Sequence, residues 1–307
     1  MTTTLRKCSL GMAIAVLFTA SLPGMAQAAS GQKTFPTAAA AAKALVAAAR
    51  AGDQEQLLAI LGPAGKDLVS SGDPVADKKS STHFAELYAK KHSLTTEAQG
   101  FETLVVGPDD WPLPIPIVRD GLVWYFDSAR GREEILNRRI GQNELGAIAV
   151  CEGYVQAQKE YAAKGHDGLP AGLYAQKLIS DEGKHNGLYW PVAPGERQSP
   201  LGPAIAEASA EGYGGTAGEP YHGYLYKLLK SQGPDAEGGA RDYLVDGKLS
   251  GGFALLAYPA SYGSGGIMTF LVNQDGNILQ KDLGDDTANV AKQITTYNPG
   301  DGWEPVQ

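Results

Sequence analysis

The stretch 142–161, QNELGAIAVCEGYVQAQKEY, constrains the fold more than any other part of the chain, because its apolar residues recur with the period of a helix. Ala147, Val150, Tyr154, Ala157 and Tyr161 fall three and four apart, and Leu145, Ile148, Cys151 and Val155 widen the same face. A face this broad needs another layer against it. Asn143 reads as the N-cap, Glu144 falls in the first turn, where a carboxylate meets the positive end of the helix dipole, and Gly165 lies beyond the end. Helical segments and a hairpin precede this stretch, and mostly strands follow it. It therefore reads as the spine of the second half and as the junction between two units, 30–140 and 141–307.

In the first unit, Thr37 caps an Ala-rich helix that Gly52 closes. Asp53 with Gln56 makes a capping box for a second helix, which Gly62-Pro63 ends. A third helix is expected over 82–91, where Phe84, Leu87 and Tyr88 share a face. Strands follow over 103–106, 115–118 and 122–126, the last two joined by the turn signal Asp120-Gly121. Between 165 and 218 only 174–179 and 204–210 read as helical, and both are short. Strands are expected over 221–229, 242–245, 252–258, 267–272 and 278–281, with turns at Asp246-Gly247 and Asp275-Gly276. An antiparallel meander is the simplest connection. The fold class is thus α+β: N-terminal helices with a small antiparallel sheet, then a long helix packed on a C-terminal antiparallel meander.

The N-terminus has the form of a secretory signal peptide, with Arg6 and Lys7, an apolar run over 10–20 and Ala26-Gln27-Ala28 as the cleavage site. The run is too short to span a bilayer, and no later segment reads as a membrane span. Periplasmic localisation follows, with cleavage after Ala28. Removing 1–28 leaves 24 basic against 34 acidic residues, so the formal charge moves from −8 to −10. That balance argues against nucleic acid as a partner. Cys8 leaves with the signal, and Cys151, on the apolar face of a helix, reads as a small buried hydrophobe.

No P-loop, G-x-S-x-G elbow, H-E-x-x-H helix or C-x-x-C pair is present, and the histidines at 83, 92, 166, 185 and 222 are scattered. No metal and no cofactor are expected. Two groups of residues suit a ligand. Arg138-Arg139 could form a cationic fork for a carboxylate or phosphate beside free helix donors, or could be part of a salt-bridged connector with Glu133, Glu134 and Glu144. The aromatic loops at 110–112, 187–191 and 220–224 could stack on a glycan or grip a peptide, or could plug the ends of a core. Arg138, Arg139, Glu144, Trp190 and His222 are accordingly the nominated ligand-binding residues, expected to converge at one end of the spine helix.

The strings SSGD (70–73), DWPLPIPIV (110–118), RRIGQNEL (138–145), GLYWP (187–191), SPLGP (199–203), PYHGY (220–224), GGFALLAYPASYG (251–263) and TFLVNQDG (269–276) resemble the bacterial family catalogued as domain of unknown function 2950. The resemblance spans about 35–303 and implies no activity and no catalytic residues. In layout, 143–180 followed by 221–281 is similar to pilin-like periplasmic domains, although a pilin carries its assembly helix at the mature N-terminus and here the helix is internal. The first half resembles a cystatin-like cone at the level of fold alone. The function expected is that of an exported, non-enzymatic protein binding a small ligand, glycan or envelope protein. The alternatives are a hydrolase using an unrecognised carboxylate and histidine, and an accessory protein of a pilus or secretion system.

Overall fold

The computed structural model describes residues 28–193, 195–213 and 218–306. Apart from Ala28, the signal-peptide segment, with Cys8, lies outside the described residues. Helix α1 (Ala38–Ala51) starts at Thr37, whose hydroxyl accepts from the Ala40 amide, and ends at Gly52 with φ 65°. Helix α2 (Gln54–Leu61) has the Asp53 carboxylate on the Gln56 amide. A 3-10 turn (Pro63–Gly65) and the short α3 (Lys66–Val69) lead to α4 (Pro74–Lys90). The expectation of a helix over 82–91 is corrected here: α4 starts at the Asp73 cap, with Pro74 in the first turn, where its missing N–H has no intrahelical partner to lose.

Strands β1 (His92–Ala98), β2 (Phe101–Val106), β4 (Ile117–Asp120) and β5 (Val123–Phe126) form an antiparallel sheet in the order β1-β2-β4-β5, and β3 (Trp111–Pro112) also pairs with β2. Asp120 opposes Val123, so the hairpin loop is Gly121-Leu122, one residue beyond the Asp-Gly signal. Leu45, Ile60, Leu104, Ile117 and Phe126 belong to the buried core where α1 and α2 meet this sheet.

Helix α5 (Ser128–Ala162) has 35 residues and is about 52 Å long at 1.5 Å per residue. It therefore does not begin at Asn143, and the 133–139 connector and the 142–161 spine are one helix running through Gly141. The reason is a single inward stripe, Leu136, Ile140, Asn143, Ala147 and Cys151, all buried and spaced by three or four. Asn143 is a polar member of that stripe instead of a cap. Leu145, counted on the apolar face, is 70% exposed.

Strands β6 (Lys177–Ile179) and β7 (Gly187–Tyr189) pair in parallel, which replaces the short helix expected at 174–179. Helix α6 (Gly202–Glu211) covers the other expected helix. The C-terminal sheet runs β16 (Glu304–Pro305), β15 (Leu279–Asp282), β14 (Met268–Asn273), β13 (Ala254–Pro259), β8 (Tyr224–Leu229), antiparallel throughout. Two small pairs, β9 (Ser231–Gln232) with β10 (Arg241–Asp242) and β11 (Leu244–Val245) with β12 (Lys248–Leu249), interrupt it, and α7 (Thr287–Gln293) contacts β13. Ala147, Cys151, Tyr154 and Val155 of α5 join the second core, on β13 and β14. The fold is α+β, and no helix of the described residues is long and apolar enough to cross a membrane.

Candidate functional site

A groove of about 390 Å³ lies where the N-terminal sheet meets the start of α5, and proline chemistry explains it. Pro114 and Pro116 have no N–H to give to a ladder, so the pairing that reaches Pro112 and Leu113 does not continue along β2 through 114–116. Strand β2 pairs with β3 at Val105 and Val106 and with β4 at Phe101 and Glu102, while between them the Leu113 amide donates to the Leu104 carbonyl at 2.8 Å. The bowed segment rests on Gly131 of α5. A Cβ there would lie 2.4 Å from the Pro114 oxygen, so only glycine lets the helix come this close. Phe101, Leu113 and the three prolines give the groove its apolar surface. Arg130 sits over the Phe101 ring at 4.8 Å and pairs with Asp127, while Arg138 pairs with Glu134 at 2.6 Å and sits over Trp111 at 5.9 Å. On the far margin Glu97 accepts from the Thr103 hydroxyl at 2.6 Å. The groove thus offers rings, guanidinium groups and carboxylates together.

A second polar assembly joins the two halves of the chain. Asp73, fully buried, caps α4 through one carboxylate oxygen, which accepts from Val75 and Ala76, and through the other accepts from the Tyr213 hydroxyl at 3.0 Å and the Gly223 amide at 2.8 Å. Ser71 donates its amide and its hydroxyl to Asp77, whose carboxyl burial pushes above its usual range. Arg139 donates to the Asp67 and Leu68 carbonyls at 2.6 and 2.7 Å. Burial lowers its guanidinium from the ordinary value, and the charges of Asp77 and Asp67 oppose that shift. Asn143 donates to Gly265, and Glu144 accepts from the Ile267 and Met268 amides at 3.0 Å each. His222 and Gly223 form a two-residue turn between Tyr221 and Tyr224 with φ of 50° and 76°, the positive pair of a type I′ turn. A Cβ at Gly223 would lie 2.4 Å from the Asn143 amide nitrogen. His222 Nε2 stands 3.8 Å from Glu211, whose other oxygen pairs with Lys79 at 2.7 Å.

The nominated residues do not meet at one place. Arg138 lines the groove. Arg139, Glu144 and His222 belong to the polar assembly. The fork of Arg138 and Arg139 is excluded because neighbours on a helix point about 100° apart. Both also stand well inside α5, away from any free helix donors. Glu144 neutralises no arginine, since its described partners are backbone amides. Trp190 lies among Tyr161, His166 and His185, with ring separations of 6.4, 5.5 and 4.5 Å. Tyr161 is 22 positions after Arg139 on one helix, about 33 Å away along its axis. Trp190 is therefore at the opposite end of α5.

The sequence model of the family described as Protein of unknown function (DUF2950) matches residues 32–306. The chain belongs to this family. No curated protein and no solved structure matches it. In this DUF2950 protein the strings SSGD, RRIGQNEL and PYHGY, far apart in sequence, supply Ser71, Asp73, Arg139, Asn143, Glu144, His222 and Gly223 to the polar assembly. The string DWPLPIPIV supplies the wall of the groove. The alternation of proline at 112, 114 and 116 was the available signal for the groove.

Proposed function

We propose that this DUF2950 protein is a non-enzymatic binding protein of the bacterial envelope, exported behind a signal peptide cleaved after Ala28, and that the groove between the proline string and α5 holds a peptide segment of a partner protein. The groove itself supports this reading most directly. Its volume of about 390 Å³ falls within the range usual for ligand sites, roughly 300 to 1,000 Å³. Its apolar surface suits side chains, and charges of both signs at its margins suit a chain with its own ordered polar groups. Arg138 and Arg130 each hold an exposed or part-exposed pair of the kind worth about 0 to 1 kcal/mol, so an incoming carboxylate can exchange for the native one at small cost. The helix-then-meander order also supports, as the alternative, an accessory place beside a pilus or secretion system. Two buried cores sharing α5 support a division into the units 30–140 and 141–307.

The test is a thermal-shift and calorimetric screen of the purified protein against peptide libraries, glycans and metals, repeated on Arg138→Ala and Phe101→Ser. A peptide whose binding both substitutions abolish supports the reading, and binding that ignores both removes it. Hydrolytic turnover lost on His222→Ala or on His185→Ala would move the assignment to the carboxylate–histidine enzyme, for which Glu211 with His222 at 3.8 Å and Asp167 with His185 at 3.4 Å are the observed pairs.

A further inference from the structure

We propose that the far end of α5 carries a separate binding site for a small organic acid with a body about one six-membered ring in size. The site is a cavity of about 140 Å³ where the end of α5, the segment 164–177 and the β11–β12 hairpin come together. Local chemistry builds it. The Tyr174 amide donates to the Leu249 carbonyl at 2.8 Å, which fixes the segment on the hairpin. Asp246 and Gly247, with φ of 49° and 71°, turn the hairpin tightly enough to present Lys248 at the cavity. His166 stacks on Tyr161 at 4.0 Å and donates from Nε2 to the Tyr161 carbonyl, 3.0 Å away, so that wall is braced.

The charge of the lining points to the ligand. The chain carries 34 acidic and 26 basic residues, yet the charged side chains on this cavity are Lys164, Lys177 and Lys248, with no carboxylate among its lining residues. Lys177 is held by Asp181 at 2.5 Å. Among the described residues neither Lys164 nor Lys248 has an ion pair, and no described group accepts from the Tyr174 hydroxyl. Two ammonium groups without an ion pair and the Tyr174 phenol therefore border a space whose walls mix leucine, proline and tyrosine carbons with the polar side chains of His166, Gln176 and Asn186. Cations gathered in a concave site concentrate anions, and a carboxylate satisfies both ammonium and phenol donors. A cavity of about 150 Å³ is known to hold a benzene ring, which sets the size of the body. The groove has charges of both signs and this cavity has one sign, so the two select different ligands.

The experiment is isothermal titration of the full purified chain with benzoate, D-glucuronate and inorganic phosphate, with benzamide and D-glucose as the neutral counterparts. Saturable binding of benzoate or of glucuronate is expected, and which one binds tells whether the body is apolar or hydroxylated. Affinity should fall about tenfold or more in Lys164→Ala/Lys248→Ala, fall with ionic strength, and weaken in Tyr174→Phe. All three positions tolerate the change without refolding of the core, because both lysines are exposed and the phenylalanine keeps the ring. Arg138→Ala should leave it unchanged, which separates this site from the groove. Equal binding of a neutral counterpart, phosphate alone binding, affinity indifferent to the lysine pair, or no binding of either acid up to about 10 mM, weaker than about 3 kcal/mol, each overturns the proposal.

Discussion

Two glycines on α5 should respond to the same substitution with opposite signs. At Gly141 an added Cβ meets nothing within 4 Å, and the position is interior to a helix, where alanine is favoured over glycine by about 0.8 to 1.0 kcal/mol. Part of that difference comes from restricting the unfolded chain. Gly141→Ala should therefore stabilise by about 0.5 to 1 kcal/mol. At Gly131 the helix gain is the same, but the Cβ would lie 2.4 Å from the Pro114 oxygen, 2.5 Å from its carbonyl carbon and 2.7 Å from the Ile115 nitrogen. Carbon contacts relax to about 3.5 to 4.0 Å, and here the obstacle is backbone between residues whose φ is locked by proline rings. Overpacking costs about 1 to 3 kcal/mol, and against backbone that cannot rotate away the upper half of that range, about 2 to 3, applies, so Gly131→Ala should destabilise by about 1 to 2 kcal/mol after the helix gain is subtracted. Urea unfolding reads both, with far-UV circular dichroism for the helix and tryptophan fluorescence for the environment. Trp111 and Trp124 report the first core, and Trp190 and Trp303 the second. With a slope of about 1 to 3 kcal/mol per molar, Gly141→Ala should raise the midpoint by about 0.2 to 1 M. A lowered midpoint would mean that the helix does not run through 141. Gly131→Ala as stable as the natural chain would mean that the proline string does not rest on α5.

Asp73→Ala leaves the Tyr213 hydroxyl and the Gly223 amide without their buried acceptor and uncaps α4, and should cost about 2 to 4 kcal/mol, measured by the same unfolding curves. A loss under about 1 kcal/mol would sink the reading of Asp73 as the tie between the halves. Asp77 has a folded-state carboxyl raised above 3.8, chiefly by burial, so its contribution is present at low pH and is lost as pH rises through the raised value. Asp77→Asn should therefore gain stability relative to the natural chain over that rise, and a difference independent of pH contradicts the shift. The Cys151 thiol, buried and pushed up to about 12, should resist an aromatic disulfide reagent at pH 8 until the chain unfolds. Rapid labelling of the native protein would show the site to be open.

What was legible in the sequence was local or strongly periodic. Thr37, Gly52 and Asp53 act at their own helix ends, so α1 and α2 stand where their caps put them. The meander is readable because β13 and the centre of β14, Phe270–Val272, are apolar runs buried on both faces. The start of α4 carries a signal, an aspartate before a proline, but over 74–83 the helix buries only Asp77, so the hydrophobic period begins at Phe84. The first half of α5 failed for the same reason: Asn143 fills a place in its inward stripe that periodicity expects to be apolar. Strand β1 is exposed at nearly every position and owes its conformation to pairing with β2, which no local pattern records. Of the nominated residues, Arg138 alone lines the groove, where it pairs with Glu134. The lysine cavity is assembled from positions 164, 177 and 248 and left no trace at any one of them.

The polar assembly has a consequence for how the groove and the cavity are held. An apolar seam between the two halves would tolerate sliding, because dispersion is nearly indifferent to direction. Asp73 is not indifferent: its four donors come from α4, from Tyr213 and from the turn at Gly223, and displacement of any one leaves a buried carboxylate oxygen short of a partner. Asn143 on Gly265 and Glu144 on Ile267 and Met268 add the same directional demand from α5 to the second sheet. The helix is thereby fixed to the first half through Arg139 and to the second through Asn143 and Glu144, within two turns of its length. Arg138 at the groove and Tyr161 at the cavity are carried on this one clamped helix, about 34 Å apart along it. Arg139 and Glu144, which read in the sequence as ligand-binding residues, are in the fold what sets the distance between the groove and the cavity.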